Sequence, residues 1–134
     1  MTSPHEFLHP KSWKPALGYS NGVAASGRMV FTGGLIGWND DQVFESDDFV
    51  EQVTQVLRSI VAVLAEAGAR PEHLVRLTWY VTDKHEYLAN LRALGAAYKA
   101  IIGRHYPAMA LVQVVALVED RAKVEIEATA VIPQ

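Results

Sequence analysis

The sequence predicts one α+β domain, a mixed β-sheet with two helices on one face. Two stretches, 49–67 and 86–102, repeat apolar residues at the three-and-four spacing of amphipathic helices. The segments around them are rich in β-branched and aromatic residues and are bounded by glycine and proline, as strands are. Along the 134 residues these elements alternate as ββ(β)αβαββ, and a chain of this length suits a single core.

Residues 1–17, punctuated by Pro4, Pro10 and Pro15, are expected to form a loosely structured N-terminal segment. From Gly18 to Gly34 two short strands flank the turn Ser26-Gly27-Arg28, and the second, Met29 to Thr32, stops at Gly33-Gly34. Leu35 to Asp48 reads as a loop with room for a third short strand at Gln42 to Phe44. The first helix, Phe49 to Ala67, lines up Val53, Val56, Leu57, Ile60 and Leu64; Asp47 or Asp48 caps it, and Gly68 follows its end. Leu74 to Thr82, after Pro71, is a strand. The second helix, Glu86 to Ile102, runs through Leu88, Leu91, Leu94, Tyr98 and Ile101 and is closed by Gly103. Beyond Pro107, Met109 to Val118 and Lys123 to Ile132 are strands joined by Glu119-Asp120-Arg121.

Composition excludes several function classes. Twelve Lys and Arg, scattered along the chain, face 15 Asp and Glu, so nucleic acid is not an expected partner. There is no cysteine, which removes disulfides, thiolate catalysis and cysteine-bound metals. His5 and His9 lie in the N-terminal segment, and His73 and His85 stand alone near loops, so no metal site is expected. Gly33-Gly34 is not followed by a helix and is no phosphate loop. No leader-like start and no apolar run of about 20 residues occurs, so a cytoplasmic chain with no membrane partner is expected.

The strand from Met109 to Val118 is largely apolar on both faces: Met109, Leu111, Gln113, Val115 and Leu117 alternate with Ala110, Val112, Val114 and Ala116. Two helices cover one sheet face only, so the other is expected to pack on sheets of further subunits, the alternative being a long loop that covers it.

In motif order and spacing the chain resembles the Rid (YjgF-type) reactive-intermediate deaminases from Gly18 to Val131. Gly18-Tyr19-Ser20-Asn21-Gly22-Val23 is similar to the family's first-strand motif without its usual proline. Val30 to Ile36 (VFTGGLI) resembles the strand ending Ser-Gly-Gln-Ile, and Leu77 to Asp83 (LTWYVTD) the strand ending Thr-Asp. Pro107-Ala108, Val112-Gln113-Val114 and Val124-Glu125-Ile126-Glu127-Ala128 are similar to the family's most diagnostic block. The resemblance implies a chorismate-mutase-like fold and a homotrimer with a central barrel. It also implies small-molecule clefts between subunits, with neither metal nor organic cofactor. The reaction it implies is hydrolysis of an enamine or imine to a carbonyl compound and ammonia.

Such hydrolysis needs an acceptor that positions water and a donor for the leaving nitrogen. By resemblance Glu125 is the cleft carboxylate, Gly34 supplies a backbone carbonyl to the attacking water, and Tyr19 donates to or stacks on the substrate. Glu127 shares the face of Glu125 by strand alternation, so the choice between them stays open. Three positions depart from the family. Met109 stands where the deaminating members place an arginine that grips a substrate carboxylate, and methionine has neither charge nor donor. Leu111 replaces a cysteine or small polar residue, and Gly95 an asparagine. With Trp38 and Trp79 these changes suggest an apolar cleft that binds substrate through Met109, Leu111 and Trp38, with Arg104, beside His105, offering positive charge from its side. The alternative readings are a noncatalytic trimer that binds metabolites or a partner protein, and a ribonuclease.

Overall fold

A computed structural model describes residues 3–134. The main helix, α1 (Phe49–Glu66), begins where the Asp48 side chain accepts the Glu51 N–H at 2.9 Å, and it ends before Gly68, which takes φ +78°. Its inward stripe of Val53, Val56, Leu57, Ile60 and Leu64 is wholly buried. That stripe lies on a sheet whose central strand, β5 (Leu74–Val81), pairs antiparallel with β7 (Val124–Ile132) and parallel with β6 (Ala108–Gln113). β3 (Arg28–Phe31) lies outside β7 at the sheet edge, and the two-residue β4 (Leu35–Ile36) also pairs with β7. The fold is therefore α+β with a mixed sheet. β6 runs parallel to β5 because the chain crosses back through α2 (Lys84–Ala89) and α3 (Leu91–Ile101).

Alternation along the strands divides the sheet cleanly. Leu77, Trp79 and Val81 of β5 and Val124, Ile126, Ala128 and Ala130 of β7 are buried under the helices. Thr78 and Tyr80 pair with Glu127 and Glu125 on the other face, which no helix among the described residues covers. Met29 and Phe31 extend that face and are 59% and 63% exposed.

Four expectations are corrected. Within the stretch read as loosely structured, β1 (Glu6–Leu8) pairs antiparallel with β2 (Gly22–Ala24), and the chain before it is tied down by His5 Nε2 donating to the His73 carbonyl at 3.0 Å. Met1 and Thr2 lie outside the described residues. No strand forms at 42–44: the Asn39 side chain accepts the Asp41 and Val43 N–H groups and bends the chain, with Gln42 at φ 59°. The short strand falls instead at β4. The second helix is two helices, because Asn90 leaves helical geometry and its side chain donates to the Glu86 carbonyl at 2.7 Å, while Asp83 caps α2. The strand from 109 stops at Gln113, where β5 ends and offers no further partner after Val81 receives the Val114 N–H. Val115 and Val118 are then fully exposed, so the two-faced pattern holds only within β6. No helix among the described residues is long and apolar enough to cross a membrane.

Candidate functional site

A parallel bridge between Ser20 and Ala108, with the Ser20 N–H donated to the Pro107 carbonyl at 3.0 Å, lays the Gly18-Tyr19 turn against the start of β6. Gly18 takes φ +78°, which favours glycine there. Tyr19 and Met109 thereby face one cavity of about 520 Å³ on the helix side of the sheet. Its α3 wall is Leu91, Leu94, Gly95 and Tyr98, a single helix stripe. Leu17, Gly18, Trp79, Tyr87 and Tyr106 complete the lining, which includes no Lys, Arg, Asp, Glu or His.

Its aromatic rings are ordered by contacts with one another. Tyr98 stacks on Tyr106 with centroids 5.4 Å apart and an interplanar angle of 13°, and its hydroxyl donates to the His105 carbonyl. Trp79 meets Tyr87 edge-on at 6.0 Å. Burial pushes the Tyr98 hydroxyl well above its ordinary pKa, with Tyr106 adding to the effect, and burial also raises Tyr87. These two phenols therefore stay neutral across the physiological range. Trp79 is 4% exposed, and its Nε1–H is the one buried side-chain nitrogen or oxygen without a partner among the described residues.

The carboxylates lie on the other face. A Cβ built on Gly34 would come 2.5 Å from Glu125 Oε2, so the carboxylate rests directly on that glycine. Glu127 is engaged differently: the Tyr80 hydroxyl donates to its Oε1 at 3.0 Å, and this bond raises the Tyr80 pKa. Met109 pairs through Leu77 with the buried face, whereas Glu125 pairs with Tyr80 on the open face. Within one chain, then, the sheet separates Tyr19 and Met109 from Gly34 and Glu125.

The remaining candidates do not join either group. Trp38 packs on Phe44 at 5.9 Å beside a separate depression with Ile36, Ser59 and Val63. Leu111 packs on the core instead of the cavity, and Arg104 is exposed outside the cavity lining. Of the histidines, His73 is buried and its Nδ1 accepts the Arg70 N–H at 2.9 Å, a local structural role. No cluster of three metal-binding side chains occurs among the described residues. Tyr87 and Tyr106 went unnoticed in the sequence as cavity residues, and Tyr98 read as core. The available signal was Gly95, a residue without a side chain in the middle of an apolar helix stripe.

The Endoribonuclease L-PSP family profile matches residues 10–132. The 2-iminobutanoate/2-iminopropanoate deaminase of Salmonella typhimurium is 32% identical over 108 residues, 78% of this chain and 80% of that protein. A RutC family protein of Aquifex aeolicus is 37% identical over 78 residues, which span 58% of this chain and 62% of the relative. The crystal structure of YyfB from Yersinia pestis, a protein of unknown function in the conserved Rid family, matches with a TM-score of 0.85 at 33% identity, covering 96% of this chain and 98% of that one. With the profile match spanning nearly its whole length, this chain belongs to the Rid (YjgF, L-PSP) family.

Proposed function

We propose that the protein is a cytoplasmic homotrimer that hydrolyses an imine or enamine lacking a free carboxylate, in clefts shared between subunits. The observation that carries this reading is the division of the site by the sheet: an uncharged cavity with Tyr19 and Met109 on one face, and Glu125 on Gly34 on the other. A substrate can meet both halves only if one chain contributes the cavity and a neighbour the carboxylate. The open, partly apolar sheet face at Met29, Phe31 and Val112 is the surface on which such neighbours would pack.

The chemistry adds one water across the C=N bond of the imine and releases one ketone and one ammonia. Glu125 accepts a proton from water as the water oxygen bonds to the imine carbon, and the C=N π pair moves to nitrogen. Nitrogen gains its proton from the side of the Tyr19 hydroxyl, and the Gly34 carbonyl gives the water a second acceptor. Collapse of the carbinolamine breaks the C–N bond: ammonia leaves with the proton that Glu125 held, and the carbinolamine O–H returns a proton to the Tyr19 oxygen as the carbonyl forms. An RNA substrate fits less well, because the cavity presents no cation and the open face carries Glu125 and Glu127.

Subunit complementation tests the reading. Glu125→Gln and Gly95→Leu should each abolish ammonia release from neutral imines above the spontaneous rate. Unfolded and refolded together in equal amounts, they should regain about a quarter of wild-type activity, because a quarter of randomly assembled clefts take both intact halves. Light scattering should give three times the subunit mass. No recovery in mixed trimers would refute the shared cleft, and no imine hydrolysis by the wild type would leave a noncatalytic binding protein.

A further inference from the structure

Gly95 and Met109 are 14 positions apart on different elements, yet they line the same cavity. Neither supplies a charge or a hydrogen-bond donor to it. We infer that this cavity receives an uncharged aromatic ring, so that the imine or enamine hydrolysed is an aryl-bearing one without a carboxylate; the substrate assignment rests on the hydrolytic reading above.

The lining supports a planar guest. Tyr19, Trp79, Tyr87, Tyr98 and Tyr106 supply five aromatic rings around about 520 Å³, within the range of small-ligand pockets. Aromatic side chains favour stacked or edge-on partners at the spacings already seen for Tyr98 with Tyr106 and Trp79 with Tyr87. Gly95 leaves room for the ring: a Cβ built there meets nothing within 4 Å, although its neighbours on the stripe, Leu94 and Tyr98, are buried. A carboxylate on the ligand would enter a lining with no cation and lose its hydration without repayment.

Calorimetry on the intact assembly with three ketones isolates the ring from the chemistry. Acetophenone represents the aryl product, phenylglyoxylate adds a carboxylate to the same ring and ketone, and methyl cyclohexyl ketone removes aromaticity. Acetophenone is expected to bind at least about tenfold tighter than either of the others, which corresponds to about 1.4 kcal/mol. Gly95→Leu should lose this binding while its melting temperature holds or rises, since leucine suits a helix better than glycine and its Cβ meets nothing within 4 Å there. Met109→Arg should reverse the preference toward phenylglyoxylate. Equal or tighter binding of phenylglyoxylate or the cyclohexyl ketone by wild type, no binding of acetophenone, or undiminished binding by Gly95→Leu would overturn the inference. The two readings fail separately. Acetophenone binding without hydrolysis of its imine removes the enzymatic reading and the substrate assignment but leaves the ring site. Hydrolysis of neutral imines without ring preference keeps the enzymatic reading and removes the ring site and the aryl substrate with it.

Discussion

Replacing Gly34 with alanine tests whether Glu125 works from the position it holds. The new Cβ would lie 2.5 Å from Glu125 Oε2 and 2.8 Å from its Cδ. Ordinary contact between such atoms begins near about 3.5 Å, so the carboxylate must retreat by roughly 1 Å. Gly34 is not among the glycines with positive φ, so its backbone accommodates alanine. Loss of unfolded-state freedom should stabilise the variant by about 0.4–1 kcal/mol, offset by a side-chain shift of similar cost. Thermal stability should therefore stay within a few degrees. A misplacement of this size at a reacting group can cost about a hundredfold in rate. Ammonia release from a methyl aryl ketimine should accordingly fall about a hundredfold, approaching the loss expected for Glu125→Gln. Because both changes act on one carboxylate, the double variant should be little worse than the poorer single. Glu127→Gln, which can still accept the Tyr80 hydroxyl, is the control and should stay within a few-fold of wild type. Wild-type rates in Gly34→Ala beside an inactive Glu125→Gln would refute the reasoning, as would independent, multiplying losses in the double variant.

Two further outcomes concern the scaffold. Gln52 is buried at the start of α1, where its amide donates to the Ser46 and Arg121 carbonyls at 3.1 and 3.0 Å and accepts the Lys123 N–H at 2.9 Å. Gln52→Leu should cost about 1–3 kcal/mol by orphaning chiefly the Lys123 donor, read as a lower urea midpoint at unchanged slope. Burial holds His73 below its ordinary pKa of 6.5, opposed by Glu72 and reinforced by Arg70 and His5. Its neutral form therefore contributes stability that is fully present above about pH 6.5 and is lost as pH falls through the depressed value. His73→Asn, which keeps an acceptor for the Arg70 N–H, should flatten the fall in melting temperature between about pH 7.5 and about pH 5.

Some of this molecule is written locally in the chain. The stripe from Val53 to Leu64, the Asp48 cap and the alternation of Val124 and Ile126 with Glu125 each depend on an element's own period, and the structure places them as the spacing predicts. The motifs from Gly18 to Ala128 likewise point to the family. What a residue meets across the fold is another matter. The chain from Val114 to Val118 has the composition of a strand but no strand beside it, since β5 ends at Val81. Asn90 breaks a continuous helical pattern through a hydrogen bond that competes with the helix. Glu125 and Glu127 share a face and a residue type, and only the approach of Gly34 to one and Tyr80 to the other distinguishes them. The cavity is likewise tertiary, because the Ser20–Ala108 bridge and the α3 stripe bring Tyr19, Gly95 and Met109 together from three distant segments. Periodicity encodes the side of an element on which a residue lies, whereas pairing between remote segments decides which side chains share a space.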